Sequence, residues 1–499
     1  MEAPTPWADS LLQTMTLDQK IGQLFMVAAW SSPTHKDFNQ VTVQRLIEQY
    51  GIGGIIFMQG SPGRQVALTN KYQDVSAIPL LIGMDAEWGL GMRLDSTLSY
   101  PRQLTLGATN NDSLVYAFGL EMARQLKRVG AHVSFSPVVD INNNPKNPVI
   151  SNRSFGENKE LVARYSEMYM KGLQDGGILA CAKHFPGHGD TEVDSHKDLP
   201  VINHPVERLD SLELYPYKHL IQRGLGSVMT AHLFVPALDT TANTATTLSR
   251  PVINDLLRGQ LKFNGLVFTD ALNMHGVTKF YDPGEAELMA LAAGNDVLLF
   301  SQNVPLAVEK IKEAIDSGWI NLRELDEHVL RILRTKEWSG LHKRSLIPSN
   351  GVYADLNNVS AKNLQRQLIE ESVTVVKNID NVLPVNPAQY QNIAVVSIGV
   401  DNRGAFASGI EHYTGFDHFI MEKSPDIKRS MWLNDTLSKY DLVIAGMLNT
   451  SNRQSKNFGV TNECARILNS VGSKTKVVLT VFANPYALES LRDLNGIES

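Results

Sequence analysis

The sequence predicts an α/β protein in which a (β/α)₈ barrel is followed by a second, open α/β domain. Three observations lead to this fold class. From residue 20 to about residue 340, short apolar runs alternate with helical patterns. Strands that are buried on both faces in parallel βαβ units read as such runs. There are eight runs in this stretch, and after a polar segment at 337–361 further runs alternate with helical patterns.

The eight apolar runs of the first part predict the eight strands of the barrel. Each run is too short to be a helix, and most are rich in valine, isoleucine and leucine. They are Leu24–Val27, Gly54–Phe57, Leu80–Met84, Val133–Ser136, Ile178–Ala182, Ser227–Thr230, Leu266–Thr269 and Val297–Phe300. Between them, apolar stripes at helical spacing predict helices that end at a glycine. Two clear stripes are Leu114, Phe118, Met122 and Leu126 before Gly130, and Val308, Ile311 and Ile315 before Gly318.

We predict three segments along the chain: a (β/α)₈ barrel at 1–336, a linker at 337–361 and an α/β sandwich domain at 362–499. The linker segment is polar, rich in turn residues and aperiodic. The second domain opens with a helix around Lys362–Ser372, and its predicted strands are Val373–Val376, Ile393–Ile398, Leu442–Ala445 and Val477–Val481. The last residues have a helical pattern with no strand after it, which predicts that this domain is truncated and that the natural chain extends past residue 499.

The composition is typical of a globular protein and excludes several classes of function. Of the 499 residues 43% are hydrophobic and 20% charged, and the formal net charge is −6. This balance predicts no binding to nucleic acid or to anionic lipid. No apolar run approaches the roughly 18–20 residues that cross a bilayer. The two cysteines, Cys181 and Cys464, lie too far apart in sequence to suggest a disulfide framework or a zinc knuckle.

The start of the chain leaves the cellular compartment open. The first 13 residues have neither the basic region nor the apolar region of a signal peptide. A mature exported protein would share this pattern, so both a cytoplasmic and a periplasmic or exported location are compatible with it. The oligomeric state is equally undetermined by the sequence.

Polar residues gather at the predicted strand ends. In a (β/α)₈ barrel, functional groups lie at the C-terminal ends of the strands. Strand ends that meet water are often polar for that reason alone, but two adjacent cations and isolated acids on apolar stems favour an active site. The residues at these ends are Asp85 after the third run, Asp140, Asn152 and Arg153 after the fourth, Lys183 and His184 after the fifth, His232 after the sixth and Asp270 after the seventh.

The densest polar stretch is the loop KHFPGHGDTEVDSH at residues 183–196. Its proline and glycines prevent a helix and let the backbone turn back over the barrel mouth. Asp194 and His196 point to the same side if the segment is extended. A carboxylate bonded to one imidazole nitrogen raises the histidine pKa and produces a general acid that also acts as a base near neutrality. The alternative for this pair is an exposed loop histidine with a capping aspartate.

The same loop contains candidate metal ligands, namely His184, His188, Asp190 and His196. A pair of histidines four apart binds zinc when a helix places both rings on one face, and the Pro-Gly between His184 and His188 prevents such a helix. The end of the first run is apolar and has no H-x-H pair. We therefore predict that no metal and no other cofactor takes part.

Asp270 ends an apolar run in the segment GLVFTDALNM. An acid in this place is rigidly held, and it is costly unless it is hydrogen-bonded or used. One alternative is an N-cap for the following helix. Across the rim from Lys183 and Arg153, its carboxyl group should stay ionised, as a carboxylate nucleophile must.

The motif KHFPGHGDTEVDSH, together with TDALNM downstream, resembles the β-N-acetylglucosaminidases of glycoside hydrolase family 3. The upstream segments DAEWGLGMR and NRSFG fit the same family. The likeness covers roughly residues 10–340 and extends to 362–499, which resemble the second α/β sandwich domain of the family. One departure is Trp88-Gly-Leu-Gly, where single-domain members commonly have Gly-Gly.

The resemblance implies roles for eight residues. Asp270 corresponds to the family nucleophile, and Asp194 with His196 corresponds to the acid/base dyad of the N-acetylglucosaminidase branch. The positions that hold the sugar hydroxyls and orient the site are Asp85, Arg93, Arg153, Lys183 and His184.

The function implied by the resemblance is that of a bacterial, retaining exo-β-N-acetylglucosaminidase. Its carbohydrate substrate would be a peptidoglycan fragment or a chitooligosaccharide with terminal β-linked N-acetylglucosamine. One alternative is a β-glucosidase of the same family, although those enzymes usually draw an acid/base carboxylate from the second domain and lack a D-S-H loop. A metal-dependent barrel hydrolase and a non-catalytic sugar-binding protein are two less favoured interpretations. Phosphorolysis instead of hydrolysis also stays open, because a neutral imidazole repels an incoming anion less than a carboxylate does.

Overall fold

The computed structural model describes residues 5–195 and 197–492, apart from the side chain of Asp380. By their contacts these residues divide into two compact units, one that ends at Ser372 and one that begins at Val373. No helix in the described ranges is both long enough and apolar enough to cross a bilayer.

The first unit is built around a sheet of eight parallel strands. Neighbouring strands follow the order β7-β6-β5-β4-β3-β2-β1-β8. The backbone N–H of Thr269 donates to the carbonyl of Val297 at 3.0 Å, and this contact between β7 and the start of β8 nearly closes the sheet. The predicted (β/α)₈ barrel is therefore confirmed. The strands are β1 Phe25–Ala29, β2 Gly54–Phe57, β3 Leu81–Met84, β4 Val133–Ser134, β5 Leu179–Phe185, β6 Ser227–Thr230, β7 Leu266–Thr269 and β8 Leu298–Leu299.

Helices precede and follow the strands of the first unit. Side-chain caps start several of them, as where the Asn111 amide oxygen accepts from the N–H of Leu114 at 3.1 Å. The stretch Pro251–Gln260 between β6 and β7 is a π-helix. The α-helices are α1 Pro6–Thr14, α2 Leu17–Gln23, α3 Gln40–Tyr50, α4 Pro62–Val75, α5 Gln103–Gly107, α6 Asp112–Arg128, α7 Lys159–Asp175, α8 Val206–Ser211, α9 Tyr215–Gln222, α10 His275–Thr278, α11 Glu285–Ala293, α12 Val304–Asp316, α13 Leu322–Trp338, α14 Val352–Leu356 and α15 Val359–Ser372.

The predicted helical stripes face the core. In α6 all four residues of the predicted stripe are buried. The neighbouring helix α7 approaches closely, because a Cβ at Gly119 would lie 3.1 Å from the Cα of Gly172. In the barrel interior the rings of Phe135 and Phe268 meet edge to face with centroids 5.2 Å apart. Close packing on both faces of the sheet holds the strand ends in place.

Several buried charged groups lie at the N-terminal end of the barrel. Asp296, directly before β8, accepts hydrogen bonds from Arg258 at 2.6 Å, from Arg331 at 2.7 Å and from His328 Nδ1 at 2.7 Å. Lys336 of α13 is also buried and donates to Gln23. These groups lie at the end of the barrel opposite to the strand ends that carry the predicted site.

The segment predicted as a linker contains α14 and the start of α15. Both helices lie in the first unit, where Arg128 of α6 pairs with Asp355 at 2.7 Å and Asn111 donates to Glu371 at 2.8 Å. The division into a barrel at 1–336, a linker at 337–361 and a sandwich domain at 362–499 stays a prediction.

The second unit contains an open sheet of four parallel strands with the order β10-β9-β11-β12. Three of its strands were predicted, whereas β10 was not, because its residues are polar at one end and only partly buried. The predicted strand Val373–Val376 is wrong. Val373, Val375 and Val376 are 74%, 59% and 71% exposed, and an apolar run forms a strand only where a neighbouring strand accepts its hydrogen bonds. The strands are β9 Ile393–Ile398, β10 Asp417–Met421, β11 Leu442–Met447 and β12 Lys476–Val481, and the helices are α16 Gly404–Ile410, α17 Ile427–Leu437 and α18 Asn462–Gly472.

Candidate active site

A charged network connects the ends of β3 and β5, which are separated in the sheet by β4. The ammonium group of Lys183 lies 2.8 Å from a carboxylate oxygen of Asp85 and 2.9 Å from one of Glu87. Asp85 is also paired with Arg93. Lys183 is 3% exposed and Glu87 is 1% exposed, so their pairing is shielded from water.

Arg153 extends the network from the loop after β4. Its Nε and Nη2 atoms donate to the two carboxylate oxygens of Glu87 at 3.0 and 2.8 Å, which is a bidentate pair. Its Nη1 atom donates to the carbonyl of Val149 at 3.3 Å. The guanidinium is therefore fixed in orientation as well as in position.

The network keeps all its members charged. Burial disfavours the charged form of Asp85 and of Glu87. The neighbouring cations outweigh this effect and hold the pKa of each carboxyl group well below its usual range. For Lys183, burial is outweighed by Asp85 and Glu87, which raise the pKa of its ammonium group. With Arg93 and Arg153 the cluster has three cations and two anions. Such a rigid set of donors and acceptors suits the hydroxyl groups of a sugar.

His184, at the end of β5, is held by Asp140 from the loop after β4. Its Nδ1 atom lies 2.7 Å from a carboxylate oxygen of Asp140. Its Nε2 atom lies 3.4 Å from Nη2 of Arg153 and so faces the charged network. The imidazole of His184 and the ion pairs around Lys183 therefore form one continuous group.

The loop after β5 is anchored through the buried ring of His188. Its Nε2 atom lies 3.0 Å from the hydroxyl of Ser195, and its Nδ1 atom lies 2.9 Å from that of Thr191. Burial lowers the pKa of His188 to about 4, and the nearby His184 adds to this effect. The ring is consequently neutral near pH 7 and joins the two ends of the segment 191–195.

The loop from β5 lies beside the loop that follows β7. A Cβ on Gly276 of α10 would lie 3.2 Å from the carbonyl oxygens of both Ser195 and Asp198. The Asp198 carboxylate is paired with Lys279 at 2.9 Å. The half-buried Asp194 lies in this anchored segment, between the contacts of Thr191 and Ser195. His196, the predicted acid/base residue, lies outside the described residues.

Asp270 directly follows β7, and its backbone N–H donates to the carbonyl of Thr230 at 3.0 Å. One carboxylate oxygen accepts from the N–H of Ala271 at 2.7 Å. Burial disfavours the charged form, but His232, this N–H group and Lys183 together hold the pKa of Asp270 below its usual value. The carboxylate is ionised at neutral pH and lies within electrostatic reach of the charged network.

The predicted residues are thus brought together to different degrees. The five predicted for sugar binding form one contiguous group, Asp270 lies within its electrostatic field, and Asp194 is on the adjacent loop. Sequence reasoning missed the role of Glu87, although its position two residues after Asp85 was a signal, because alternate residues of an extended segment share a side. It noted Asp140 at a strand end without assigning it a role.

Those candidate metal ligands of the loop that the structure describes have other partners. His188 contacts two hydroxyl groups, and Asp190 accepts from His204 Nε2 at 2.7 Å. Among the described residues, no three histidine, cysteine, aspartate or glutamate side chains come together as a metal ion would require. The prediction that no metal takes part stays a prediction.

Comparison with known proteins shows what the chain is similar to. Residues 16–335 match the family described as "Glycosyl hydrolase family 3 N terminal domain". "Beta-hexosaminidase A" of Pseudoalteromonas piscicida is 32% identical over 69% of this chain, and the match spans 62% of that relative's length. "Beta-N-acetylglucosaminidase/beta-glucosidase" of Cellulomonas fimi is 27% identical over 97% of this chain and 88% of its own length. A solved family 3 β-N-acetylglucosaminidase from Paenibacillus sp. is 29% identical, with a TM-score of 0.79 over 97% of this chain and 93% of that one.

Proposed function

We propose a specific reaction for this chain, which belongs to glycoside hydrolase family 3 and is therefore a glycoside hydrolase. The proposed reaction is the hydrolysis of terminal β-linked N-acetylglucosamine from the end of a glycan, with retention of the anomeric configuration. The names of the relatives support this choice of sugar, since each includes hexosaminidase or N-acetylglucosaminidase. The motif at 183–196 supports it as well.

In this proposal the charged network binds the terminal sugar. The cations Arg93, Lys183 and Arg153 donate to hydroxyl oxygens, and the carboxylate of Asp85 accepts from hydroxyl hydrogens. Both carboxylate oxygens of Glu87 are already paired with Arg153 and Lys183, so its role is to hold these two cations in place. Side chains that are already fixed lose little conformational entropy when the sugar binds.

Asp270 is the proposed nucleophile. Its carboxylate attacks the anomeric carbon and forms a glycosyl ester, while the bond to the leaving oxygen breaks and protonated His196 gives that oxygen its proton. In the second step neutral His196 takes a proton from water, and the water oxygen displaces Asp270 from the anomeric carbon. Asp194 orients the imidazole and stabilises its charged form. The two displacements at one carbon retain the configuration.

The observation that carries the proposal is the ionised Asp270 carboxylate at the tip of β7, within electrostatic reach of Lys183 at the end of β5. The contacts of Gly276 and Lys279 with the loop after β5 support a shared mouth for the nucleophile and the proposed dyad. Both loops lie at the strand ends where (β/α)₈ barrels carry their active sites.

Asp270→Ala tests the nucleophile, with hydrolysis of an aryl β-N-acetylglucosaminide as the assay. We expect turnover to fall by about 10⁴-fold or more, because a covalent step is lost. Added azide should restore cleavage and yield the α-glycosyl azide, since azide can enter the space of the missing carboxylate. Asp435→Ala, at an exposed position in the second unit, is the control and should leave turnover unchanged. Normal hydrolysis by Asp270→Ala would refute the assignment.

The substrate is tested on the unmodified protein. Aryl β-N-acetylglucosaminide should be turned over faster than aryl β-glucoside, and the opposite order would favour the β-glucosidase alternative that the name of the Cellulomonas relative raises. Release of N-acetylglucosamine from peptidoglycan fragments and from chitobiose then separates the two proposed sources. Formation of a sugar 1-phosphate in phosphate buffer would show phosphorolysis in place of hydrolysis.

A further inference from the structure

We propose that Asp140 is a positioning residue that holds His184 in one orientation and one tautomer, so that its Nε2 atom accepts a hydrogen bond from a substrate hydroxyl. The inference rests on the proposed sugar-binding role of His184. It adds that His184 is the acceptor in the contact with the hydroxyl, and that Asp140 makes it so. Asp140 lies in the loop after β4, and its carboxylate is buried.

The Asp140 carboxylate contacts both the ring and the backbone nitrogen of His184. One oxygen lies 2.7 Å from Nδ1 of the ring, and both oxygens lie 3.3 Å from the backbone nitrogen of the same residue. The other oxygen also accepts from the backbone N–H of His188 at 2.6 Å. Burial disfavours the charged form of this carboxyl group, but the interactions with His184 and His188 lower its pKa, so it only accepts hydrogen bonds. The proton of the contact with the ring is therefore on Nδ1.

Arg153 requires the same tautomer from the other side of the ring. Its Nη2 atom lies 3.4 Å from Nε2 of His184, and a guanidinium nitrogen can only donate. The bidentate pair with Glu87 prevents the guanidinium from turning away. A proton on Nε2 would place two donors face to face, whereas a lone pair there accepts. A sugar hydroxyl that binds here displaces this long contact, donates to the one lone pair of Nε2 and accepts from the guanidinium.

The first unit contains a matched pair elsewhere. Asp296 is buried and lies 2.7 Å from Nδ1 of His328, the same contact as that between Asp140 and His184. It also binds two arginines, but it lies at the opposite end of the barrel. Replacement of either aspartate removes a buried charge next to a histidine, and only one of the two faces the candidate site.

The test compares Asp140→Asn with Asp296→Asn on aryl β-N-acetylglucosaminides that lack the 3-, 4- or 6-hydroxyl group. Both variants are assayed at a temperature at which circular dichroism shows them folded. In the unmodified protein, loss of the hydroxyl that binds Nε2 should lower kcat/KM by roughly 10-fold or more. An asparagine amide donates to Nδ1 and moves the proton to Nε2, so Asp140→Asn should lower kcat/KM on the complete substrate by about 100-fold.

The pattern across the analogues identifies a positioning role. Asp140→Asn should abolish the penalty for one deoxy analogue and keep the penalties for the other two, and Asp296→Asn should keep all three. The proposal is overturned if Asp140→Asn keeps the full pattern of penalties, if it weakens every analogue equally, or if both variants behave alike.

A measurement on the unmodified chain keeps the proposal testable if Asp140→Asn does not fold. Nitrogen-15 NMR of histidine-labelled protein distinguishes the two tautomers, and the His184 signal is identified by its absence from His184→Gln. Protonation of Nδ1 is expected, and protonation of Nε2 overturns the proposal. Failure of the proposed function is seen separately, in the preference of the unmodified protein between complete aryl sugars. If a glucoside is preferred, the same deoxy series is used on that sugar.

Discussion

Glu87→Gln should destabilise the first unit by about 3–5 kcal/mol, the range seen when one partner of a buried ion pair is removed. The carboxylate accepts two charge-assisted hydrogen bonds from Arg153, at 3.0 and 2.8 Å, and forms an ion pair with Lys183 at 2.9 Å. Glutamine has nearly the same volume but one acceptor oxygen, and its amide N–H groups would face these donors. Each charge-assisted bond contributes about 1.5–3 kcal/mol, so the loss of one such bond together with the charge that balances Lys183 and Arg153 agrees with that range.

The assay is urea unfolding followed by tryptophan fluorescence and circular dichroism. Glu327→Gln is the matched control, since Glu327 pairs with Arg323 at 3.4 Å on the exposed surface of α13. It should change the free energy of unfolding by no more than about 0.5 kcal/mol. If Glu87→Gln unfolds within about 0.5 kcal/mol of the unmodified protein by this scale, Glu87 does not hold the two cations in a buried network, and our account of the site is wrong.

The same variant has a defined pH dependence. The cations around Glu87 lower its folded-state pKa from 4.5 to about 2. A carboxyl group whose pKa is lower in the folded state stabilises the fold above its unfolded pKa, and this stabilisation is lost as the pH falls through the folded value. The difference between the unmodified protein and Glu87→Gln should therefore be full above pH 4.5 and should shrink towards pH 2. A constant difference over this interval would contradict the ion pairing.

Three further predictions concern other parts of the chain. Burial lowers the pKa of Lys336 from 10.5 to about 7, so the free-energy cost of burying its charged form grows as the pH falls from 10.5 to 7. Lys336→Met should therefore raise the melting temperature more at pH 6 than at pH 10. An equal increase at both pH values would show that the lysine is not desolvated. A Cβ on Gly189 would lie 1.7 Å from the carbonyl oxygen of Ile141, so Gly189→Ala should displace the loop after β5 and lower kcat/KM roughly 10-fold or more. Gly409→Ala, which meets open space, is its control and should change neither turnover nor the fold. Dialysis against a chelator should leave turnover unchanged, because the Pro-Gly turn keeps the loop histidines from forming a helical zinc pair. Loss of activity on dialysis and its recovery when zinc is added would support the metal-dependent alternative.

Much of the barrel was predictable because its signals are local. The predicted and observed bounds of β2, β6 and β7 are identical, since short runs buried on both faces carry no polar interruption. The prediction that the strand-end residues share one edge needed only the parallel topology, which brings the C-terminal ends of all strands to one rim. Asp85, Lys183 and Asp270 could therefore be chosen before any contact was known.

Other features depended on contacts that no local pattern contains. Val373–Val376 has the composition of a strand, but it lies outside the sheet and is largely exposed. The strand β10 has a weaker pattern, and its parallel pairing with β9 supplies the backbone hydrogen bonds that make it a strand. Whether a segment at the edge of a sheet forms a strand depends more on backbone pairing with a neighbouring strand than on the residues of the segment itself.

By itself the sequence determined the fold class, the rim that carries the candidate site and most residues of that site, because apolar periodicity and strand ends are properties of short segments. Only the tertiary structure decided which groups are partners. Lys183 and Asp85 are 98 residues apart along the chain and 2.8 Å apart in space, Glu87 joins Lys183 to Arg153, and Asp140 holds His184. Ion pairing and burial depend on distance and on the exclusion of water, and folding sets both by bringing distant strand ends together.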